Sequence, residues 1–194
     1  GVRTAVSAAL ALSVAVGAHA GEIAFKPVPY PTTDADGRKI LSSDKVWVNG
    51  SWRQSGFNLL LRSGDELPLL GGAPGEKVRY GTLVMEDGTP LVDEATGKGA
   101  ISNSNDFNSL VPVGDELYLV SHFETRPAAM YLTRLEQSAS GKLVAVATRP
   151  IDFSKVGGGC VHCAGSVSPW GTHLGSEEYE PEARQWGDPG LPIS

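Results

Sequence analysis

The sequence predicts an all-β protein built from short strands. Apolar residues come in short alternating groups rather than at helical spacing, and no segment shows an amphipathic helix longer than two turns. Turn-forming residues are frequent, with 24 glycines and 13 prolines among the 194 residues. Short strands that recur without helices between them are typical of a sandwich, a barrel or a propeller. The pattern alone does not choose among these three architectures.

The amino-terminal residues predict a cleaved secretory signal peptide. Arg3 precedes an apolar stretch over residues 5–16, and small residues stand at Ala18 and Ala20, where a signal peptidase requires them. This stretch, of about 12 residues, is too short to cross a bilayer, which takes roughly 20. We therefore expect cleavage before Gly21, no membrane span in the mature chain, and a periplasmic or secreted protein.

The charge of the chain argues against a nucleic-acid partner. The formal net charge is −6, and the 16 lysines and arginines do not cluster anywhere in the sequence. Proteins that bind nucleic acids need clustered basic residues that replace the counterions of the phosphates. We expect no nucleic-acid partner for this protein.

Several segments predict individual strands. Asn49-Gly50 between two short apolar runs predicts a hairpin, since both residues tolerate positive φ. Glycine at 114 and at 141 marks tight connections that flank and divide residues 116–148, which predicts three consecutive antiparallel strands there. The further predicted strands, in chain order, cover residues 58–61, 79–85, 116–121, 130–135 and 143–148.

Residues 160–178 concentrate the side chains best suited to chemistry, including both cysteines of the chain. The Cys-x-x-Cys spacing of Cys160 and Cys163 fits a disulfide or a redox pair, although the βαβ pattern of thioredoxin-like proteins is absent. A closed zinc site would need a second cysteine pair. A third interpretation is a mixed metal site, with a thiolate from Cys163 and carboxylates from Glu177 and Glu178. On spacing alone, a solvated acidic loop is the favoured interpretation of the glutamates, and the residues by themselves do not establish a metal site.

The same segment resembles the signature of the PhoX-type alkaline phosphatases. Residues 163–178 read Cys-Ala-Gly-Ser-Val-Ser-Pro-Trp-Gly-Thr-His-Leu-Gly-Ser-Glu-Glu. The family has a cysteine followed by Ala-Gly, then Thr-Pro-Trp-Gly-Thr, and then a Glu-Glu pair, all in register with this stretch. A looser similarity joins residues 106–112 and 117–124 to a family strand that ends in a His/Glu motif. The resemblance thus covers about residues 102–180.

The resemblance implies a β-propeller fold and an exported enzyme that hydrolyses phosphate monoesters with iron and calcium together. Cys163 aligns with the cysteine that binds iron, and Glu178 aligns with a glutamate of the same cluster. Glu177 is expected to lie beside it on a calcium ion, and His122 and Glu124 are carried over as further metal-site residues. No catalytic residue is assigned.

The amino-terminal pattern and the resemblance together set the expected organisation of the chain. Residues 1–20 would be the signal peptide, and residues 21–194 would be the amino-terminal part of a single β-propeller domain whose remaining ligands follow Ser194. We expect a monomer acting on a small phosphate ester. The alternative is a non-catalytic, calcium-stabilised β-propeller that binds a partner.

Overall fold

The computed structural model describes residues 22–39 and 41–179 and is built almost entirely of strands and turns. Its strands pair in five antiparallel sheets, and the described helices are one of four residues and one 3-10 turn. The prediction of an all-β protein is therefore confirmed. The predicted signal peptide, residues 1–20, lies outside the described residues. Within the part of the chain that is described, no helix is long and apolar enough to cross a membrane.

The chain divides into two compact units, and the first ends at Phe57. Its strands pair in chain order as a three-stranded sheet: β1 Ile23–Phe25, β2 Lys45–Val48 and β3 Ser51–Gln54, with the short helix α1 Asp34–Gly37 between β1 and β2. The hairpin predicted at Asn49-Gly50 is confirmed, because these two residues have φ angles of 45° and 87°. Trp47 and Trp52 pair across this hairpin, with ring centroids 5.6 Å apart.

The second unit begins at Asn58 and is organised around a four-stranded antiparallel sheet with the order β11-β10-β9-β8. Three strands predicted within residues 116–148 are confirmed, and β8 adds a fourth that the strand pattern had not indicated. Two-stranded sheets β4-β5, β6-β7 and β12-β13 complete the described part of the unit. The strands are β4 Glu66–Pro68, β5 Lys77–Arg79, β6 Val92–Asp93, β7 Lys98–Gly99, β8 Asn105–Val113, β9 Glu116–Phe123, β10 Ala129–Gln137, β11 Leu143–Pro150, β12 His162–Val167 and β13 His173–Glu177.

Two predicted strands are wrong. Residues 58–61 form no strand, and the strand predicted over residues 79–85 ends at Arg79. The chain turns there because Gly81 adopts φ of +85°, a conformation that L-residues rarely reach. Leu61 and Leu83 lie on irregular backbone and pack on the core. The spacing of the apolar residues in these two segments therefore resembles that of a strand.

The core of the second unit lies on one face of the four-stranded sheet and is centred on three aromatic rings. Tyr80, Phe123 and Tyr131 contact one another edge to face, with ring centroids 5.1 to 5.6 Å apart. The hydroxyl of Tyr131 donates a hydrogen bond to the carbonyl of Thr82 at 2.8 Å, which satisfies the one polar group of that fully buried side chain. Gly81 passes so close to Phe123 that a Cβ would lie 3.1 Å from its ring.

Candidate metal centre

Four strand ends meet at one edge of the second unit. In the antiparallel pair β8-β9, the start of β8 lies beside the end of β9, and this brings Asp106 near Glu124. The pair β12-β13 does the same for Cys163 and Glu178, since the start of β12 lies beside the end of β13. Strand β12 also packs against β8. The ends of two hairpins thus present three carboxylates and a thiol at the same place.

Asp106, Glu124 and Cys163 have the geometry of a cation site. One oxygen of each carboxylate and the sulfur of Cys163 lie within 4.8 Å of one another. Glu124 and Cys163 are half-buried, and Asp106 is exposed. Ligand atoms that bind one ion at distances of roughly 2.0–2.5 Å lie about 3–4.5 Å apart, so the three side chains fit a shared cation after small adjustments.

The electrostatics of the cluster show an excess of negative charge. A hydrogen bond with the Glu178 carboxyl, followed by burial and by the charge of Asp106, raises the pKa of Glu124 above its ordinary value. A hydrogen bond with Asp106, followed by burial and by the neighbouring carboxylates, raises the pKa of the Cys163 thiol to about 11. Both shifts keep protons on groups that would otherwise repel one another. A bound cation would act against both shifts, because positive charge favours the deprotonated forms of the carboxyl and the thiol.

The structure therefore brings together three of the five side chains for which the sequence predicted a metal role: Glu124, Cys163 and Glu178. Cys163 is a free thiol. The carboxyl of Glu178 forms a hydrogen bond with Glu124, but Glu178 is not one of the three residues whose ligand atoms lie within 4.8 Å of one another. It lies at the side of the cluster, where its charge still acts on Cys163.

Glu177 points away from this cluster. Its carboxylate accepts a hydrogen bond from the backbone N–H of Cys160 at 2.7 Å, and the same oxygen lies 3.9 Å from Nε2 of His162. Consecutive residues of a strand face opposite sides, and Glu177 and Glu178 follow that rule at the end of β13. Glu177 thus stabilises the loop that leads into Cys163.

His122 is not a member of the cluster, and its side chain instead contacts the backbone of Cys163. The side chain is fully buried, with Nδ1 2.9 Å from the backbone carbonyl of Cys163 and Nε2 2.6 Å from Nε2 of His173. Because a carbonyl only accepts hydrogen bonds, Nδ1 of His122 carries a proton, and Nε2 of neutral His122 accepts from His173. Nδ1 of His173 is then an acceptor for the hydroxyl of Ser109, 2.7 Å away. This chain of hydrogen bonds fixes the backbone of Cys163.

Two glycines within residues 163–178 make room for the rings of Phe107 and His122. A Cβ on Gly165 would lie 2.3 Å from the ring of Phe107, and a Cβ on Gly175 would lie 2.8 Å from the imidazole of His122. Neither contact is one that a real Cβ tolerates. The glycines in this segment therefore allow the β12-β13 hairpin to pack directly on the side chains of β8 and β9.

Asp106 is the member of the cluster that the sequence did not indicate. It lies in the looser of the two resembling stretches, but nothing in its local sequence distinguishes it from a solvated aspartate. The available signal was indirect, because a residue near the start of a strand that pairs with the strand before Glu124 must lie close to Glu124. Because the pattern of apolar residues does not predict β8, the sequence alone does not place Asp106 beside Glu124.

A basic side chain lies at the margin of the cluster. The guanidinium carbon of Arg126 is 5.9 Å from the ring centroid of Tyr179, in cation–π range. Tyr179 follows Glu178, whose charge is the main cause that raises the pKa of the Tyr179 hydroxyl. Among the described residues, Arg126 forms no ion pair and no hydrogen bond through its side chain.

Comparisons with known proteins assign no function to this geometry. No protein-family model matches the chain, and no curated protein or solved structure does either.

Proposed function

We propose that the protein is an exported, metal-dependent phosphatase that hydrolyses phosphate monoesters with iron and calcium. The observation that carries the proposal is the group of Asp106, Glu124 and Cys163, whose ligand atoms lie within 4.8 Å of one another. Two of these three residues are ones that the PhoX-type resemblance designates, and the third comes from the same resembling region. The proposal includes a β-propeller fold and a periplasmic or secreted location.

The donor set suits a transition metal. Thiolate is a soft ligand that favours iron over calcium, whereas carboxylate oxygens suit both ions. The Cys163 thiol binds a metal only as thiolate, and its pKa of about 11 means that the metal must displace a proton. Glu178, beside Glu124, is the available carboxylate for a second, harder cation such as calcium.

The residues of the chain would act mainly by positioning. A bound cation supplies positive charge to the phosphate oxygens and so stabilises the charge that develops during phosphoryl transfer. Asp106, Glu124 and Cys163 would hold that cation at one place. The hydrogen bond from His122 to the carbonyl of Cys163 keeps the thiol-bearing backbone fixed, which is the supporting role that outer partners of metal ligands usually have.

One feature of the fold supports the propeller. A propeller blade is a sheet of four consecutive antiparallel strands, and β8 to β11 pair in chain order in this way. The non-catalytic alternative, a calcium-stabilised propeller that binds a partner, uses the same sheet but gives Cys163 no role. The two functions therefore differ in what they require of the thiol.

Metal content and activity test the proposal. The purified full-length protein is dialysed against iron and calcium, and the bound metals are measured by mass spectrometry for wild type, Cys163→Ser and Asp106→Asn. We expect both variants to lose iron, whereas Asp115→Asn, an exposed aspartate in the turn between β8 and β9, should retain it. Hydrolysis of a phosphate monoester should stop when a chelator is added.

Two results would contradict the proposal. Iron uptake that Cys163→Ser leaves unchanged would remove the thiol from the site. Calcium uptake with no iron and no hydrolysis would favour the non-catalytic propeller. Amino-terminal sequencing of the mature protein tests export separately, with Gly21 as the expected first residue.

A further inference from the structure

The second unit contains a cavity of about 480 Å³ that the metal cluster does not use. Sites for small organic molecules typically have volumes of roughly 300–1,000 Å³ and are mostly apolar, with a few polar groups that orient the ligand. The lining of this cavity is mostly apolar as well, and includes Met85, Ile151 and Phe153. Its size and its surface therefore fit a small organic group.

Backbone without side chains forms one part of the wall. Gly157 and Gly158 have φ angles of 84° and 85°, and a Cβ on either would meet no atom within 4 Å. The left-handed backbone disfavours any other residue here, and the space where the side chains would stand is open. The two glycines thus leave the cavity unobstructed on that side.

Arg126 is the basic residue of the lining, and it is available to a ligand. Its guanidinium lies over the ring of Tyr179, with no ion pair to any described residue. The acidic residues of the lining are Glu86 and Asp152. The carboxylate of Asp152 accepts the backbone N–H of Ser154 at 2.8 Å, and Arg126 is the lining residue that can offer positive charge to an anionic ligand.

Arg126 also connects the cavity to the cluster. It follows Glu124 by two residues, and the carbonyl of Thr125 between them accepts a hydrogen bond from Val161 at 3.0 Å. The carbonyl of Val161 in turn accepts from the backbone N–H of Glu178 at 3.1 Å. The backbone next to Arg126 is therefore joined through Val161 to the backbone of Glu178.

We propose that this cavity binds the organic group of the substrate, that this group is aromatic, and that Arg126 binds the phosphate between the cavity and the cluster. The inference rests on the proposed phosphatase function, whose metal cluster would receive the other side of the phosphate. An aromatic ring gains from apolar contact with Met85, Ile151 and Phe153, whereas a polyol would lose hydrogen bonds to water there. Arginine offers a phosphate two parallel hydrogen bonds.

Binding of three probes to the metal-loaded protein tests this inference. The dissociation constants of phenyl phosphate, glycerol 2-phosphate and inorganic phosphate are measured by calorimetry or by ligand-observed NMR. We expect phenyl phosphate to bind about tenfold more tightly than glycerol 2-phosphate, because only the ring buries apolar surface. Arg126→Gln should weaken phenyl phosphate binding about tenfold, since it removes a charged partner of the phosphate.

Matched variants separate the two parts of the inference. Met85→Trp places a larger side chain in the cavity lining, and it should weaken phenyl phosphate about tenfold while inorganic phosphate binds as in wild type. Arg149→Gln removes an exposed arginine on β11 that does not itself line the cavity, and it should change none of the three constants. Thermal melting confirms that each variant is folded, and metal analysis confirms that it is loaded.

The outcomes distinguish the cavity from the metal site. Phenyl phosphate binding that neither Arg126→Gln nor Met85→Trp weakens, in a protein that loses iron on Cys163→Ser, would overturn the cavity inference and leave the proposed function intact. Iron uptake that is unchanged in Cys163→Ser, with probe binding lost in both cavity variants, would support the cavity as a ligand site and overturn the metallophosphatase.

Discussion

Phe123 and Glu124 are neighbours in the chain, yet they lie in opposite environments. Phe123, the last residue of β9, is fully buried among the aromatic rings of the core. Glu124 is half-buried beside Asp106 and Cys163, and its pKa is raised. The core is complete in itself, because its apolar surface is covered and its polar groups are largely paired. The cluster holds like charges that a proton or a cation must balance.

Residues that stabilise the fold and residues that could bind a proton or a cation are therefore direct neighbours in the chain. A substitution on the core side should change the free energy of unfolding and leave the chemistry of the thiol and carboxylates as it was. A substitution on the cluster side should change proton and metal binding with little effect on folding. Each expectation below tests one side of this contrast, beginning with the largest effect.

Phe123→Ala should cause the largest loss of stability, about 3–5 kcal/mol, because it opens a cavity among rings that now pack edge to face. Denaturant unfolding measures the change. Leu59→Ala is the control in the same unit, since that side chain is 57 % exposed and its loss should cost no more than about 0.5 kcal/mol. A cost below about 1 kcal/mol for Phe123→Ala would show that the core does not hold the sheet together.

Asp106→Asn should make the Cys163 thiol more reactive. The hydrogen bond and charge of Asp106 are the main cause of its raised pKa of about 11, so the variant should bring the pKa toward its ordinary value. Each unit of decrease raises the thiolate fraction tenfold well below the pKa. We expect metal-free protein with Cys160→Ser to be alkylated roughly tenfold faster at pH 8 after this substitution.

Asp115→Asn is the matched control for thiol reactivity, because Asp115 is exposed in the turn at the other end of the β8-β9 hairpin. It should leave the rate as it was. Equal alkylation rates in the two variants would mean that Asp106 does not act on the thiol, and the contrast between cluster and core would lose its electrostatic basis.

Tyr131→Phe should cost about 1 kcal/mol at neutral pH, since it leaves the carbonyl of Thr82 without its hydroxyl donor. Burial raises the pKa of Tyr131 to about 12, so its neutral form is favoured in the folded protein. The resulting stability is fully present below the unfolded pKa near 10 and is lost as pH rises through 12.

Unfolding measured at pH 9 and pH 11 tests this sign. Wild type should lose about 1 kcal/mol more than Tyr131→Phe between the two values, because only wild type has a hydroxyl to ionise at that position. A loss of the same size in both proteins would assign the alkaline instability to other groups.

Glu178→Gln should have the smallest effect on stability, within about 0.5 kcal/mol, because the side chain lies at the margin of the cluster and not in the core. It should nevertheless lower the pKa of Glu124, since the hydrogen bond with the Glu178 carboxyl is the first cause of the raised value. An NMR titration of the Glu124 carboxyl measures this change. A raised pKa that persists would point to Asp106 and burial as the dominant causes.

Local sequence was sufficient where neighbouring residues decide the structure. The hairpin at Asn49-Gly50 and the turns at Gly114 and Gly141 follow from residues that tolerate positive φ. It failed near Leu61 and Leu83, where apolar side chains reach the core from irregular backbone. The period of the apolar residues could not separate that arrangement from a strand.

The site shows the same division. The sequence predicted metal roles for Cys163 and Glu178 within residues 163–178 and for Glu124 at the end of residues 117–124, and these three side chains lie together. Asp106 belongs to the cluster and His122 does not, and no local sequence pattern predicts either result. His122 faces the carbonyl of a residue that is 41 positions away in the chain.

The amino-acid sequence by itself determined the all-β character, the tight turns and the supply of thiol and carboxylate ligands, because alternation, glycine placement and side-chain chemistry are local properties. The tertiary structure alone decided which of these side chains lie together, which histidine forms a hydrogen bond with the backbone of Cys163, and which residues line the cavity. The physical reason is that two hairpins must pack against each other before their strand ends meet, and that packing depends on contacts between residues far apart in the chain.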